Sequence, residues 1–129
     1  RIAMSEGGIG WVAMLADRAD YVLDHSASGT DSRRWKGDLR PSEVLARNFW
    51  FCTIDDPSSV DAVIARMGPD HIMVESDYPH ADSTWPNTAD VVKTNFGHLP
   101  ADVVRKVTLT NAASLFGVPL PAGMEPAGA

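Results

Sequence analysis

The sequence predicts an α/β fold built on a parallel sheet, and three observations predict it. Strand-like and helix-like patterns alternate three times along the 129 residues, the signature of βα units. The strand-like runs are short and rich in apolar residues. Each of them ends in carboxylates: Glu6, then Asp55 with Asp56, then Asp77.

The first unit opens with a strand over residues 1–5, followed by Glu6-Gly7-Gly8-Ile9-Gly10. A helix follows over residues 11–25. Trp11, Leu15, Ala19, Val22 and Leu23 recur at spacings of three and four, and Asp17, Arg18, Asp20 and Asp24 fall between them. That pattern gives one apolar face for a core. Residues 26–39 are rich in Ser, Gly, Arg and Asp and read as a long surface loop.

The second unit begins with a short helix over residues 41–47, with Pro41 in its first turn. The run Phe49-Trp50-Phe51-Cys52-Thr53-Ile54 is apolar without clean alternation, as expected of a strand covered on both faces. Asp56 is placed to cap the next helix, with Pro57 at its first position. That helix carries Val60, Val63, Ile64 and Met67 and stops at Gly68.

The third unit is a buried strand over residues 71–77, ending in acids. Counting by two puts Glu75 and Asp77 on one face, which suggests a cation or an Arg beside them. Pro79 holds Tyr78 extended, and a polar loop follows. Residues 90–99 and 101–116 read as closing helices, the second ended by Gly117 and Pro119. Residues 119–129 are rich in Pro, Gly and Ala and are expected to form a flexible tail.

Composition narrows the function. With 44% hydrophobic and 22% charged residues the chain reads as a soluble globule. A net charge of −6 argues against nucleic acid as a partner, since phosphate binding needs a basic face. No apolar run approaches the roughly 20 residues that span a bilayer. The single cysteine, Cys52, excludes an internal disulfide and fits the reducing cytoplasm. The chain opens on Arg1, already inside a strand pattern, and shows no signal peptide.

Two architectures fit this order of elements: a doubly wound sheet, and part of a (β/α)8 barrel. Gly7-Gly8-Ile9-Gly10 lacks the spacing of a dinucleotide fingerprint. In barrels the catalytic groups sit at the carboxyl ends of the strands, where this chain keeps its acids. Such acids either cap the following helix or hold a cation. Asp56 fits the cap and Glu6 fits either role. Asp77 fits the cation, because Pro79 and a polar loop follow it.

Glu75-Ser76-Asp77-Tyr78-Pro79-His80 resembles the last-strand motif of the amidohydrolase-related superfamily, whose members include aminocarboxymuconate semialdehyde decarboxylase. Thr110-Asn111-Ala112-Ala113-Ser114-Leu115-Phe116-Gly117 resembles its closing helix, and residues 48–56 its penultimate strand. The resemblance covers residues 1–118 and implies the C-terminal part, about three βα units, of a TIM (β/α)8 barrel. It implies a divalent metal, zinc by expectation, and a water activated against a small organic substrate. Asp77 takes the role of the family's metal-site aspartate, binding the ion and taking a proton from the water.

Family members of the decarboxylase type carry a His before the two glycines, where this chain has Glu6. A carboxylate there favours oxygen-loving metals or removes a proton shuttle, which shifts the expectation from decarboxylase toward hydrolase. Glu6 and Asp77 are thus the expected metal ligands, and Asp77 and His80 the expected catalytic residues. The family's His-X-His pair and mid-barrel His have no counterpart here and are expected upstream, in the N-terminal half of the barrel. A non-catalytic half-barrel module is the rival reading. It would bind no metal even when joined to that half.

Of the other histidines, His25 and His98 read as solvated or dipole-complementing, and His71 lies at the strand end that serves stability. Trp85 lines a substrate pocket or packs its loop. Arg33, Arg34 and Lys36 form a solvated loop or steer an anionic substrate. Three units leave a sheet edge unpaired, so the isolated chain is expected to aggregate or form a homo-oligomer.

Overall fold

A computed structural model describes residues 1–25 and 35–124. Three parallel strands lie side by side in chain order: β1 (Ile2–Met4), β2 (Phe49–Thr53) and β3 (Ile72–Val74). Ile2 pairs with Phe49 and Met4 with Phe51, then Phe51 with Ile72 and Thr53 with Val74. The helices are α1 (Gly10–His25), α2 (Pro41–Asn48), α3 (Val60–Met67), α4 (Thr88–Phe96), α5 (Ala101–Arg105) and α6 (Asn111–Phe116). Sequential parallel strands with intervening helices are the unit of a barrel wall, with no reversal of strand order.

The alternation along β2 separates two apolar clusters. Phe51 joins Ile9, Val12, Val60, Val63, Ile72, Phe96 and Val107 in the main core between sheet and helices. Trp50, Cys52 and Met73 face the other side, against Ala112 and Leu115 of α6. Both faces of β2 are therefore covered, as its unbroken apolar run predicts.

The core face of α1 differs from the expected one. Val12 and Ala16 are its buried residues, while Leu15 is 38% and Val22 45% exposed. Counting from Ile9, which is buried, positions 12 and 16 fall on one helical stripe. Met14, Leu15, Tyr21 and Val22 make a second apolar stripe, which faces outward here.

Asp20, on α1, does what no spacing rule announces. Its carboxylate accepts the Ser42 backbone N–H at 3.0 Å and the Ser42 hydroxyl at 2.7 Å. It also takes Arg66 Nη2 at 2.9 Å and faces Arg40 Nε at 3.3 Å. One carboxylate thus ties α1 to α2 and α3. Burial pushes its pKa up, but the hydrogen bonds from Ser42, Arg40 and Arg66 win and hold it at about 2.

Helix α2 starts at Pro41 as expected, with the Arg40 backbone N–H donating to Glu43 Oε2 at 2.6 Å. Helix α3 starts at Val60 instead of Pro57, because residues 57–59 form a separate turn. Asp56 therefore does not cap it; its carboxylate accepts the Thr53 hydroxyl at 2.7 Å. Gly68 ends α3 at φ 78, donating its N–H to the Ile64 carbonyl at 2.8 Å.

Strand β3 is shorter than expected. Glu75 adds one more ladder bond, from its N–H to the Thr53 carbonyl at 3.0 Å, and β2 itself ends at Thr53. Asp77 then takes φ 58 and turns the chain, so the count by two that aligned Glu75 with Asp77 fails there. The closing helix predicted over 101–116 is α5 and α6 joined by a π-helical turn, Lys106–Thr110. Asn111 donates to the Pro69 carbonyl at 2.7 Å and the Ile72 carbonyl at 2.8 Å, fastening α6 to the start of β3.

His71 hydrogen-bonds the Phe49 carbonyl at 2.9 Å through Nδ1 and stacks on Trp50. His25, in the last turn of α1, hydrogen-bonds the Tyr21 carbonyl at 2.8 Å through Nδ1 and stacks on the Tyr21 ring. His98 is not merely solvated: its Nε2 lies 2.7 Å from Asp61 Oδ1. Lys36 is exposed, and its expected companions Arg33 and Arg34 lie outside the described residues, as do residues 125–129 of the expected tail.

Candidate metal centre

The carboxyl ends of β1 and β3 converge on one cluster. Past β1 the chain runs through Ser5 to Glu6, which adopts φ 58. Gly8 follows at φ 61, and a Cβ there would meet Asp56 Oδ1 at 2.8 Å. Glycine is needed at that position both for its backbone angle and for the close approach. Past β3, Asp77 adopts the same left-handed conformation as Glu6. Two non-glycine residues at positive φ, facing each other from two strand ends, mark a place where local strain is held by its surroundings.

Glu6, Asp77 and His80 each offer one ligand atom, and the three atoms lie within 4.8 Å of one another. The Asp77 carboxylate is 9% exposed and the His80 ring 62% exposed. His80 Nδ1 sits 2.8 Å from Asp77 Oδ1. A carboxylate only accepts, so Nδ1 carries the proton in that bond, which leaves Nε2 as the ring nitrogen that can bind an ion or hydrogen-bond elsewhere. The Asp77 hydrogen bond, then the charges of Asp77, Glu6 and Asp82, raise the His80 pKa above its ordinary value.

The loop after the cluster is pinned to its base. The Thr84 N–H donates to the Ser76 carbonyl at 3.0 Å and the Ser83 hydroxyl to the same oxygen at 2.7 Å. The His80 N–H donates to the Asp77 carbonyl at 2.9 Å. Tyr78 and Trp85 meet edge to face at 5.9 Å and stay largely exposed. The Trp85 ring therefore packs within its own loop and still presents a face to incoming molecules.

The donor set fits a divalent cation. Two carboxylates and an imidazole suit zinc or manganese, and no Lys or Arg pairs with either carboxylate among the described residues. The acids ending β2 are engaged elsewhere: Asp55 accepts from Asn95 Nδ2 at 2.9 Å, and Asp56 from Thr53. Glu75 was expected beside Asp77, near a cation or an Arg. Its carboxylate instead accepts the Ser5 hydroxyl and the Glu6 N–H, each at 2.6 Å. Sequence reasoning missed that partnership, because residues 70 apart carry no spacing signal.

A three-stranded parallel sheet with its acids gathered at the carboxyl ends defines part of a TIM-barrel enzyme fold. The family model described as Amidohydrolase matches residues 1–118, and the chain belongs to that family. Among solved structures it resembles 5-carboxyvanillate decarboxylase of Sphingomonas paucimobilis, at 25% identity and a TM-score of 0.70, over 84% of this chain and 31% of that one. An amidohydrolase of Mycobacterium avium subsp. paratuberculosis K-10 matches at 22% identity and a TM-score of 0.71, over 89% of this chain and 27% of that one. Dihydroxybenzoic acid decarboxylase of Polaromonas sp. JS666, with bound manganese and the inhibitor 2-nitroresorcinol, matches at 17% identity and a TM-score of 0.65, over 84% of this chain and 31% of that one. The last two likenesses speak for the fold alone. The chain spans about a third of the length of these structures. No curated protein matches it significantly.

Proposed function

We propose that this chain supplies the last three βα units of a metal-dependent hydrolase acting on a small organic substrate. The observation that carries the reading is the convergence of Glu6, Asp77 and His80 within 4.8 Å at the carboxyl ends of β1 and β3. Glu6 and Asp77 would hold one divalent ion together with ligands from the preceding part of the barrel. Zinc is the expected ion. When bound, the ion supplies Lewis acidity and lowers the pKa of water at the site. Asp77 accepts the water's proton. His80, whose Nδ1–H is hydrogen-bonded to Asp77 Oδ1 at 2.8 Å, orients that carboxylate.

A second reading, a metal-dependent carboxy-lyase, is favoured by the likeness to a decarboxylase at 25% identity. Product analysis in 18O-labelled water separates the two. Hydrolysis puts solvent oxygen into the product, whereas decarboxylation releases CO2 and leaves the product unlabelled. No helix among the described residues is long and apolar enough to cross a membrane. A cytoplasmic setting suits the single cysteine, buried Cys52.

The test of the mechanism is Asp77→Asn in the complete barrel. Asn keeps size and hydrogen-bond acceptance but holds no charge and takes no proton at neutral pH. The variant is expected to keep its fold and to lose about 10²- to 10⁴-fold in turnover. Normal turnover from the folded variant would remove Asp77 from the chemistry.

A further inference from the structure

The Glu6 carboxylate reaches the cluster from a backbone conformation that L residues other than Asn, Asp and Gly seldom adopt, φ 58. Something must hold it there. The Glu6 N–H donates to Glu75 Oε1 at 2.6 Å, and the Ser5 hydroxyl donates to Glu75 Oε2 at 2.6 Å. Both oxygens of one carboxylate thus grip two consecutive residues at the end of β1. Charge-assisted bonds of this length are among the stronger ones a neutral donor makes.

The topology makes the grip informative. In the sheet order β1-β2-β3, the strands bearing Ser5 and Glu75 are not neighbours. They stand about 10 Å apart across β2. No ladder bond can join them, so the side chain does. The backbone N–H of Glu75 is itself fixed to the Thr53 carbonyl at the end of β2. The clamp is therefore anchored on the central strand and reaches out to the first. The Cys52 thiol, on β2, faces the same carboxylate; burial, then the Glu75 charge, pushes it up to about 12, so it stays protonated. No Lys or Arg pairs with Glu75 among the described residues, so its charge is met by neutral donors alone.

We propose that Glu75 is a positioning residue for the metal centre: its carboxylate, through Ser5 and the Glu6 N–H, sets the left-handed turn that points the Glu6 side chain at Asp77 and His80. This rests on the reading of Glu6, Asp77 and His80 as a metal site. Partners of this kind, one bond removed from the ligand, govern affinity by about 10- to 100-fold.

The experiment measures Mn²⁺ binding to the metal-free complete barrel by calorimetry, alongside its thermal melt. Glu75→Ala is expected to weaken Mn²⁺ about 10- to 100-fold. Glu75→Gln keeps an oxygen for the Glu6 N–H and is expected to recover most of that loss. A merely structural residue would not show this recovery in affinity at equal melting temperature. In a Glu6→Gln background, Glu75→Ala is expected to change Mn²⁺ affinity no further, because its effect runs through Glu6. An equal loss in both backgrounds overturns the inference, as does unchanged affinity in Glu75→Ala. If Glu75→Ala does not fold, Ser5→Ala takes its place, and unchanged affinity there overturns it equally. If Glu6→Gln itself leaves Mn²⁺ affinity intact, the metal-site reading fails and takes this inference with it. If Glu6→Gln weakens Mn²⁺ and the Glu75 and Ser5 variants do not, only the inference fails.

Discussion

Asp20 shows how much a single carboxylate can hold, and how little of that can be read in advance. It sits on α1 among residues that a helical pattern assigns to the polar face. Yet its side chain is only 13% exposed and receives groups from two other helices. Its partners Ser42 and Arg66 are 22 and 46 residues away, so no local rule links them. Asp77 and His80 were legible for the opposite reason: they are three apart, in one motif with Pro79 between them, and the structure joins them at 2.8 Å. Glu6 was legible only as an acid before two glycines; its left-handed backbone was not.

The folded pKa of Asp20, about 2, lies below its ordinary 3.8. Its contribution to stability is therefore complete above the unfolded value, and is lost as pH falls through the folded one. A shift of this size is worth about 2 kcal/mol, and somewhat less because Arg40 and Arg66 are partly open to solvent. In the complete barrel, the stability gap between the parent protein and Asp20→Asn should shrink between about pH 4 and pH 2. Urea titrations across that range check it. A constant gap would mean that the charge of Asp20 contributes nothing.

At the scale of elements, existence and order were readable and ends were not. Every strand and helix predicted from periodicity is present among the described residues. The errors sit where a tertiary contact or a local turn sets the boundary. Strand β3 stops three residues early because Asp77 turns toward Glu6. Helix α3 starts three residues late for a local reason: residues 57–59 form a separate turn before it. The core stripe of α1 was misassigned because the helix carries apolar residues on two sides, and helical spacing alone cannot rank them.

The turn between β1 and α1 offers a sharp test at this scale. Gly8 combines φ 61 with an Asp56 oxygen 2.8 Å from where a Cβ would lie. Gly8→Ala is expected to destabilise the protein by about 1–3 kcal/mol, through both the backbone angle and the displaced carboxylate. Thermal melts of the purified variant read this directly. An unchanged midpoint would show that the turn relaxes freely.

For the whole molecule, the three-stranded sheet leaves the outer edge of β1 unpaired, with Ile2 49% exposed, and α1 carries the outward stripe of Met14, Leu15, Tyr21 and Val22. An unpaired strand edge and an exposed apolar stripe each favour self-association. The 129-residue chain on its own is expected to elute in size-exclusion chromatography as oligomers or aggregates, and its union with the preceding barrel half as a discrete species. A monomeric chain with a cooperative melt would contradict this. The barrel itself was legible only through motif resemblance, because three sequential βα units are equally compatible with a doubly wound sheet until strand order is known.

The clasp between Ser5 and Glu75 joins residues 70 positions apart in the chain, and the proposed ligands Glu6 and Asp77 span nearly the same interval. An ion held there acts as a removable staple, closing in the folded state a loop that the unfolded chain leaves open. Binding that the unfolded chain cannot offer adds stability in proportion to the logarithm of ion concentration, about 2.7 kcal/mol at a hundredfold excess over Kd. A chelator should therefore lower the melting temperature of the complete barrel, and titrating the ion back should raise it without a plateau at stoichiometry. The ion's concentration in the cell would then set the protein's lifetime as well as its turnover.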